Sequence, residues 1–253
     1  MFDFKGRVVL ITGASSGLGV QMAKGFAELG ADLVITARRF ERLEAFAKEL
    51  NEEYGVKALP VACDVTSTEQ VDAAVEKAIA EFGKIDVLIN NAGSSKGGPV
   101  HELSDENWNF TMDTDLTSVF KMTRAASKHM IEAGYGRIIN IASMYGLLGT
   151  NQQETAYHAS KAGVVNFSRA AGAELAPHGI TVNTICPGYF LTELTEETFS
   201  GEEFKAYMGM TVPAGRPGEP GELNAAAIFL ASEEASYVNG VALPVDGGWS
   251  SAK

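Results

Sequence analysis

Cysteine is nearly missing from this chain of 253 residues: only Cys63 and Cys186 occur, each inside an apolar run. No C-x-x-C or Cys/His spacing is present, so a disulfide framework and a zinc site are not expected. Both thiols read as small core hydrophobes in a reducing compartment. Histidine is sparse as well. His101, His129, His158 and His178 are scattered and form no H-E-x-x-H, so no metal is expected. Basic residues are outnumbered, 20 Lys and Arg against 32 Asp and Glu, for a net charge of -12. That balance argues against nucleic acid and anionic membrane as partners and favours solubility. No apolar run approaches the about 20 residues of a membrane helix. The opening MFDFKGRVVLITG lacks a basic segment leading into an uninterrupted apolar stretch and a cleavage site, so a cytoplasmic protein is expected.

What is present is ordinary globular composition, 45% apolar and 21% charged. There is no repeat, low-complexity tract or linker, so residues 1–253 read as one domain. Seven short β-branched runs recur: RVVLIT, ADLVITA, KALPVAC, IDVLIN, GRIINIAS, ITVNTIC and VALPVD. Between them lie segments with helical spacing. One places Leu43, Phe46, Ala47 and Leu50 on a single face, and STEQVDAAVEKAIAEFG opens on a Ser/Thr cap and stops at Gly83. Strands apolar on both faces, alternating with helices, predict an α/β fold: a Rossmann-type doubly wound parallel sheet of about seven strands with helices on both faces. In such a sheet the ligand crevice lies at the carboxyl ends of the strands, so residues just after each strand are the ones to inspect.

After the first strand comes Gly13-Ala14-Ser15-Ser16-Gly17-Leu18-Gly19. Two readings compete. The glycines let backbone approach a diphosphate at the start of a helix. Alternatively, Gly13 to Gly17 matches G-x-S-x-G, the elbow that presents a hydrolase serine, here Ser15. The third glycine has no part in an elbow, no HGGG-like oxyanion loop accompanies it, and no Gly-Lys-Ser/Thr marks a nucleotide-triphosphate loop. At the end of the second strand stand Arg38 and Arg39, with no acid beside them. They either decorate a helix start or meet a ribose 2′-phosphate, which favours NADP over NAD, with NAD still possible. After the fifth strand comes Ser143, and on the following helix Tyr157 and Lys161 share a face one turn apart. An ammonium near a phenol favours the phenolate, so such a tyrosine can exchange a proton with a carbonyl or alcohol oxygen, which a serine hydroxyl can hold.

TGASSGLG, CDVTS, NNAG, Ser143, Tyr157-His-Ala-Ser-Lys161, GITVNTICPG and LPVDGGW together resemble the short-chain dehydrogenase/reductase family over almost the full length. The resemblance implies hydride transfer between a nicotinamide and a carbonyl or carbinol carbon. It implies Tyr157 as acid/base, Lys161 as its activator and a ribose ligand, and Ser143 as the group that orients the substrate oxygen. It assigns the cofactor to Gly13, Ser15, Ser16, Gly17, Leu18, Gly19, Arg38, Arg39, Asp64, Val65, Asn91, Ala92, Gly93, Tyr157, Lys161, Pro187, Gly188 and Thr192. Residues 189–216 would form a mobile lid over the substrate, a long polar insertion with glycines. The C-terminal PVDGGW would lie near a subunit interface of a homotetramer or homodimer. One position departs from the family: Asp115 stands where an asparagine is usual. It keeps the acceptor oxygens, loses the amide donors and can pair indirectly with Lys161. CPGYFLTEL resembles the gluconate 5-dehydrogenase-like branch. With Asn151, Gln152, Gln153 and Glu154 before the tyrosine, and Lys96 as a possible carboxylate partner, a polyol, ketose or sugar acid is expected as substrate. A 3-oxoacyl thioester, a hydroxysteroid, a regulator that binds dinucleotide without turnover and a Ser15 hydrolase are the alternatives.

Overall fold

The computed structural model describes residues 2–193 and 195–252. Seven strands form one parallel sheet: β1 (Val8–Thr12), β2 (Asp32–Ala37), β3 (Ala58–Ala62), β4 (Val87–Asn90), β5 (Gly136–Ile141), β6 (Ile180–Pro187) and β7 (Ala242–Val245). Their order is β3-β2-β1-β4-β5-β6-β7, so the chain reverses direction across the sheet between β1 and β4. Every residue of β1, β4, β5 and β6 is buried, which is why these runs are apolar without alternation.

Alternate side chains feed two cores. Val9, Ile11, Leu33 and Ile35 pack on one face against α1 (Gly17–Glu28), α2 (Phe40–Tyr54) and α9 (Asn224–Ala231). Val8, Leu10, Val34 and Leu88 pack on the other against α3 (Thr68–Phe82), α5 (Ser118–Ala133) and α6 (Thr155–Leu175). The expected stripe on α2 is the buried one: Leu43, Phe46, Ala47 and Leu50. The Ser67 hydroxyl accepts from the Gln70 N–H to cap α3, and Gly83 ends that helix in the left-handed conformation. The remaining helices are α4 (Asp105–Met112), which runs through a π-helical turn at Asp113–Thr117 into α5, and α7 (Glu196–Phe199) and α8 (Glu202–Thr211), which follow β6.

The interior is not wholly apolar. The Asn90 amide donates to Thr123 Oγ1 (3.2 Å) and Asn140 Oδ1 (2.8 Å), and Asn140 donates to Ser168 Oγ (2.8 Å), linking β4, β5, α5 and α6. Cys63 follows β3 and Cys186 lies within β6; both are free and buried. Burial pushes each thiol up to about 11.

Candidate active site

A cleft of about 980 Å³ opens where the strand order reverses. Of the residues expected to hold a cofactor, thirteen line it: Gly13, Ser15, Ser16, Gly17, Leu18, Arg38, Arg39, Asp64, Val65, Asn91, Ala92, Gly93 and Thr192. Gly13 takes a left-handed φ of 67°, and a Cβ there would come within 2.8 Å of Ala92 Cα. A Cβ on Gly19 would lie 2.7 Å from Asn91 Nδ2. Gly17 opens α1 with φ 61° and has space in front of it. Two glycines thus let the turn close tightly and a third leaves a bare helix N-terminus, a cradle suited to a diphosphate. Asn91 braces this turn, donating to Thr12 O (2.9 Å) and Gly13 O (3.2 Å).

Arg39 sits at the head of α2 and donates to the Ser15 and Ser16 hydroxyls (3.2 and 3.3 Å). Asp64 accepts from the Thr66 N–H and hydroxyl. Burial works against its charge, but the Thr66 bonds, with Arg38 and Lys121, hold the carboxyl below its ordinary value. Ser15 therefore lies on the cleft floor under an arginine, and no histidine is among the residues lining that cleft. Gly188 follows the end of β6 at Pro187 and lies against the Asp246 backbone, its N–H bonded to Val245 O (2.9 Å).

The expected catalytic residues converge beside this cleft. Ser143 ends β5's extension, is 7% exposed, and accepts from the Tyr145 N–H (3.2 Å). Tyr145 meets the Tyr157 ring edge-on, centroids 6.2 Å apart. Lys161 is only 4% exposed; its ammonium lies 5.5 Å from the Tyr157 ring centre and donates to Ile141 O (3.1 Å).

Asp115 completes the group from the π-helical turn, a distortion common at functional sites. It is 0% exposed. Its Oδ1 accepts from the Ser94 N–H (2.7 Å), and its Oδ2 lies 3.9 Å from the Lys161 ammonium. The pairing expected to be indirect is thus a direct one. Burial raises the Asp115 carboxyl above its ordinary value, although Lys161, the Ser94 N–H and Ser160 pull it back.

The described residues of 189–216 carry an aromatic inner face beneath a largely exposed polar surface. Phe199 and Phe204 stack at 3.9 Å, and both meet Tyr189 edge-on. Hydroxyls run in a chain from Tyr145 to Tyr189 (2.9 Å) to Tyr207 (3.3 Å). Burial, then its two tyrosine partners, push the Tyr189 hydroxyl above the ordinary phenol range. The i, i+3, i+4 spacing of Phe204, Tyr207 and Met208 was the available signal for this wall. The Lys96 ammonium lies over the Phe110 ring at 4.7 Å. Before Tyr157, Asn151, Gln152 and Gln153 are exposed, whereas Glu154 turns inward.

Comparison with known proteins places these features in context. The profile of a family described as Enoyl-(Acyl carrier protein) reductase matches residues 13–250. The chain is 40% identical to a 5-keto-D-gluconate 5-reductase of Escherichia coli strain K12, over 98% of this chain and 97% of that one. It is 41% identical to a D-threitol dehydrogenase of Mycolicibacterium smegmatis, over 98% and 95%. Among solved structures, a gluconate 5-dehydrogenase from Burkholderia cenocepacia in complex with NADP and tartrate superposes with a TM-score of 0.94 at 38% identity, covering 100% of this chain and 98% of that one.

Proposed function

Because this chain belongs to the short-chain dehydrogenase/reductase family, we propose that it interconverts a carbonyl and a secondary alcohol on a polyol, ketose or sugar acid, preferring NADP(H) and accepting NAD(H). The observation that carries the reading is the buried Lys161 ammonium beside Gly93 of the cleft wall, 3.9 Å from Asp115 and 5.5 Å from the Tyr157 ring. The relatives that act on gluconate and threitol support the substrate class.

The cleft fits a dinucleotide in volume and chemistry. Gly13, Gly17 and Gly19 would hold its diphosphate, Asp64 and Val65 its adenine, Arg38 and Arg39 a 2′-phosphate, and Pro187, Gly188 and Thr192 the nicotinamide end. When bound, it supplies or takes the hydride. The chain's own residues manage the proton. Ser143 would hold the substrate oxygen, and Tyr157 would give that oxygen a proton in reduction or accept one in oxidation. Lys161 places a cation where a phenolate would develop, and Asp115 and the Ile141 carbonyl hold that cation in position. Residues 189–216 would close over the substrate. Exposed Trp108 on α4 and Phe120 on α5 support assembly as a homodimer or homotetramer, and the two buried thiols suit the cytoplasm.

Tyr157→Phe tests the reading. Turnover followed at the nicotinamide absorbance band should fall by about 10²–10⁴-fold while cofactor binding persists. A variant that turns over at the wild-type rate would refute the role of Tyr157.

A further inference from the structure

We propose that Glu154 is a substrate-binding residue that accepts a hydrogen bond from a hydroxyl remote from the reacting carbon, and that it selects uncharged polyols over sugar acids. The proposal rests on the oxidoreductase reading above and narrows its substrate class.

Glu154 is the residue immediately before α6, three positions ahead of Tyr157. Its charge reaches the neighbouring aromatic wall: burial first, then Tyr207, Tyr157 and Glu154, push the Tyr145 hydroxyl above its ordinary range, against the Tyr189 bond. The main chain here is firmly held. Glu154 O accepts from both the N–H and the ring Nδ1 of His158 (2.9 and 2.7 Å), and Gln153 O accepts from the Gly98 N–H (2.8 Å). Gln153 is the one non-glycine residue with positive φ among those described, at 57°. Such strain persists where the surroundings enforce it, and it gathers at ligand sites.

The side chain is placed as deliberately. The carboxylate lies directly on Gly97, where any Cβ would collide with it. Its Oε2 is buried with no hydrogen-bond partner among the described residues. A buried carboxylate oxygen is unfavourable unless something donates to it. Lys96, in the neighbouring loop, lies with its ammonium over the Phe110 ring at 4.7 Å. A carboxylate on the segment leading into Tyr157, sensed together with it by Tyr145 and paired with no cation among the described residues, suits a hydroxyl donor and repels a substrate carboxylate.

Steady-state kinetics with three substrates test this: a straight-chain polyol such as threitol, the aldonate of the same chain length, and a secondary alcohol with no second hydroxyl. Wild-type enzyme should favour the polyol over the aldonate in kcat/KM. Glu154→Gln should lower kcat/KM for the polyol about tenfold, mainly through KM, and raise it for the aldonate, so that the ratio falls at least tenfold. Gly97→Ala, which displaces the carboxylate without removing it, should shift the ratio the same way. Equal losses on all three substrates would show a structural role and overturn the assignment. So would wild-type enzyme that turns over the plain alcohol yet favours the aldonate. Wild-type enzyme inert towards all three would overturn the polyol and sugar-acid reading itself, and this inference with it.

Discussion

Asp115 carries a burden that asparagine would not. Its raised carboxyl value nets burial against the attraction of Lys161 and the Ser94 bond, and burial wins. The native state therefore favours the protonated form more than the unfolded chain does. Below the unfolded value of about 3.9 the penalty is absent. It grows as pH rises and is complete once pH exceeds the raised native value. Relative to wild type, Asp115→Asn should accordingly gain in melting temperature as pH rises from about 4 to neutral. Thermal melts at both pH values check this; an equal margin at each would refute it. The same variant should shift the pH profile of kcat, because it removes the charge 3.9 Å from Lys161. Across the cleft, Arg38 is exposed, lines the wall and sits within electrostatic reach of Asp64. Arg38→Glu should raise KM for NADPH by about tenfold or more and KM for NADH far less. Parallel increases for both would discard the 2′-phosphate argument.

At the scale of elements, the strands and surface helices were readable because burial writes a period into them. The central strands are covered on both sides and so are apolar throughout, and α2 and α3 carry an apolar stripe with a cap or a stop. The glycine turn was readable because backbone that must touch backbone tolerates no Cβ. Other features have no local signature. The π-helical turn at Asp113–Thr117 depends on how α4 and α5 pack, so nothing in DTDLT announces that Asp115 is fully buried. The hydroxyl chain joins Tyr145, Tyr189 and Tyr207 from three separate segments, and only tertiary folding brings them together. That chain ties α8 to the floor of the site. Tyr189→Phe removes its middle member and should destabilise the protein by about 1–3 kcal/mol, read as a lower urea midpoint. An unchanged midpoint would mean the hydroxyls are as well served by water.

For the molecule as a whole, a net charge of -12 means its surface repels itself. Raising salt from about 10 to 150 mM shortens the screening length from about 30 to 8 Å. Thermal stability should rise over that interval, and a melting temperature that falls or stays flat would show that attractive pairs outweigh the repulsion. The two cysteines bear on how this body comes apart. Cys63 follows β3 on one side of the point where the strand order turns, and Cys186 lies in β6 on the other. Cys186 is fully buried and Cys63 nearly so, although Cys63 borders the cofactor cleft, and neither ionises readily there. An alkylating reagent should thus capture Cys186 only during a transient opening, and Cys63 likewise once cofactor fills the cleft, so the natural chain already carries a pair of clocks. If they tick together, the sheet yields as a unit; if one runs ahead, its two wings breathe separately.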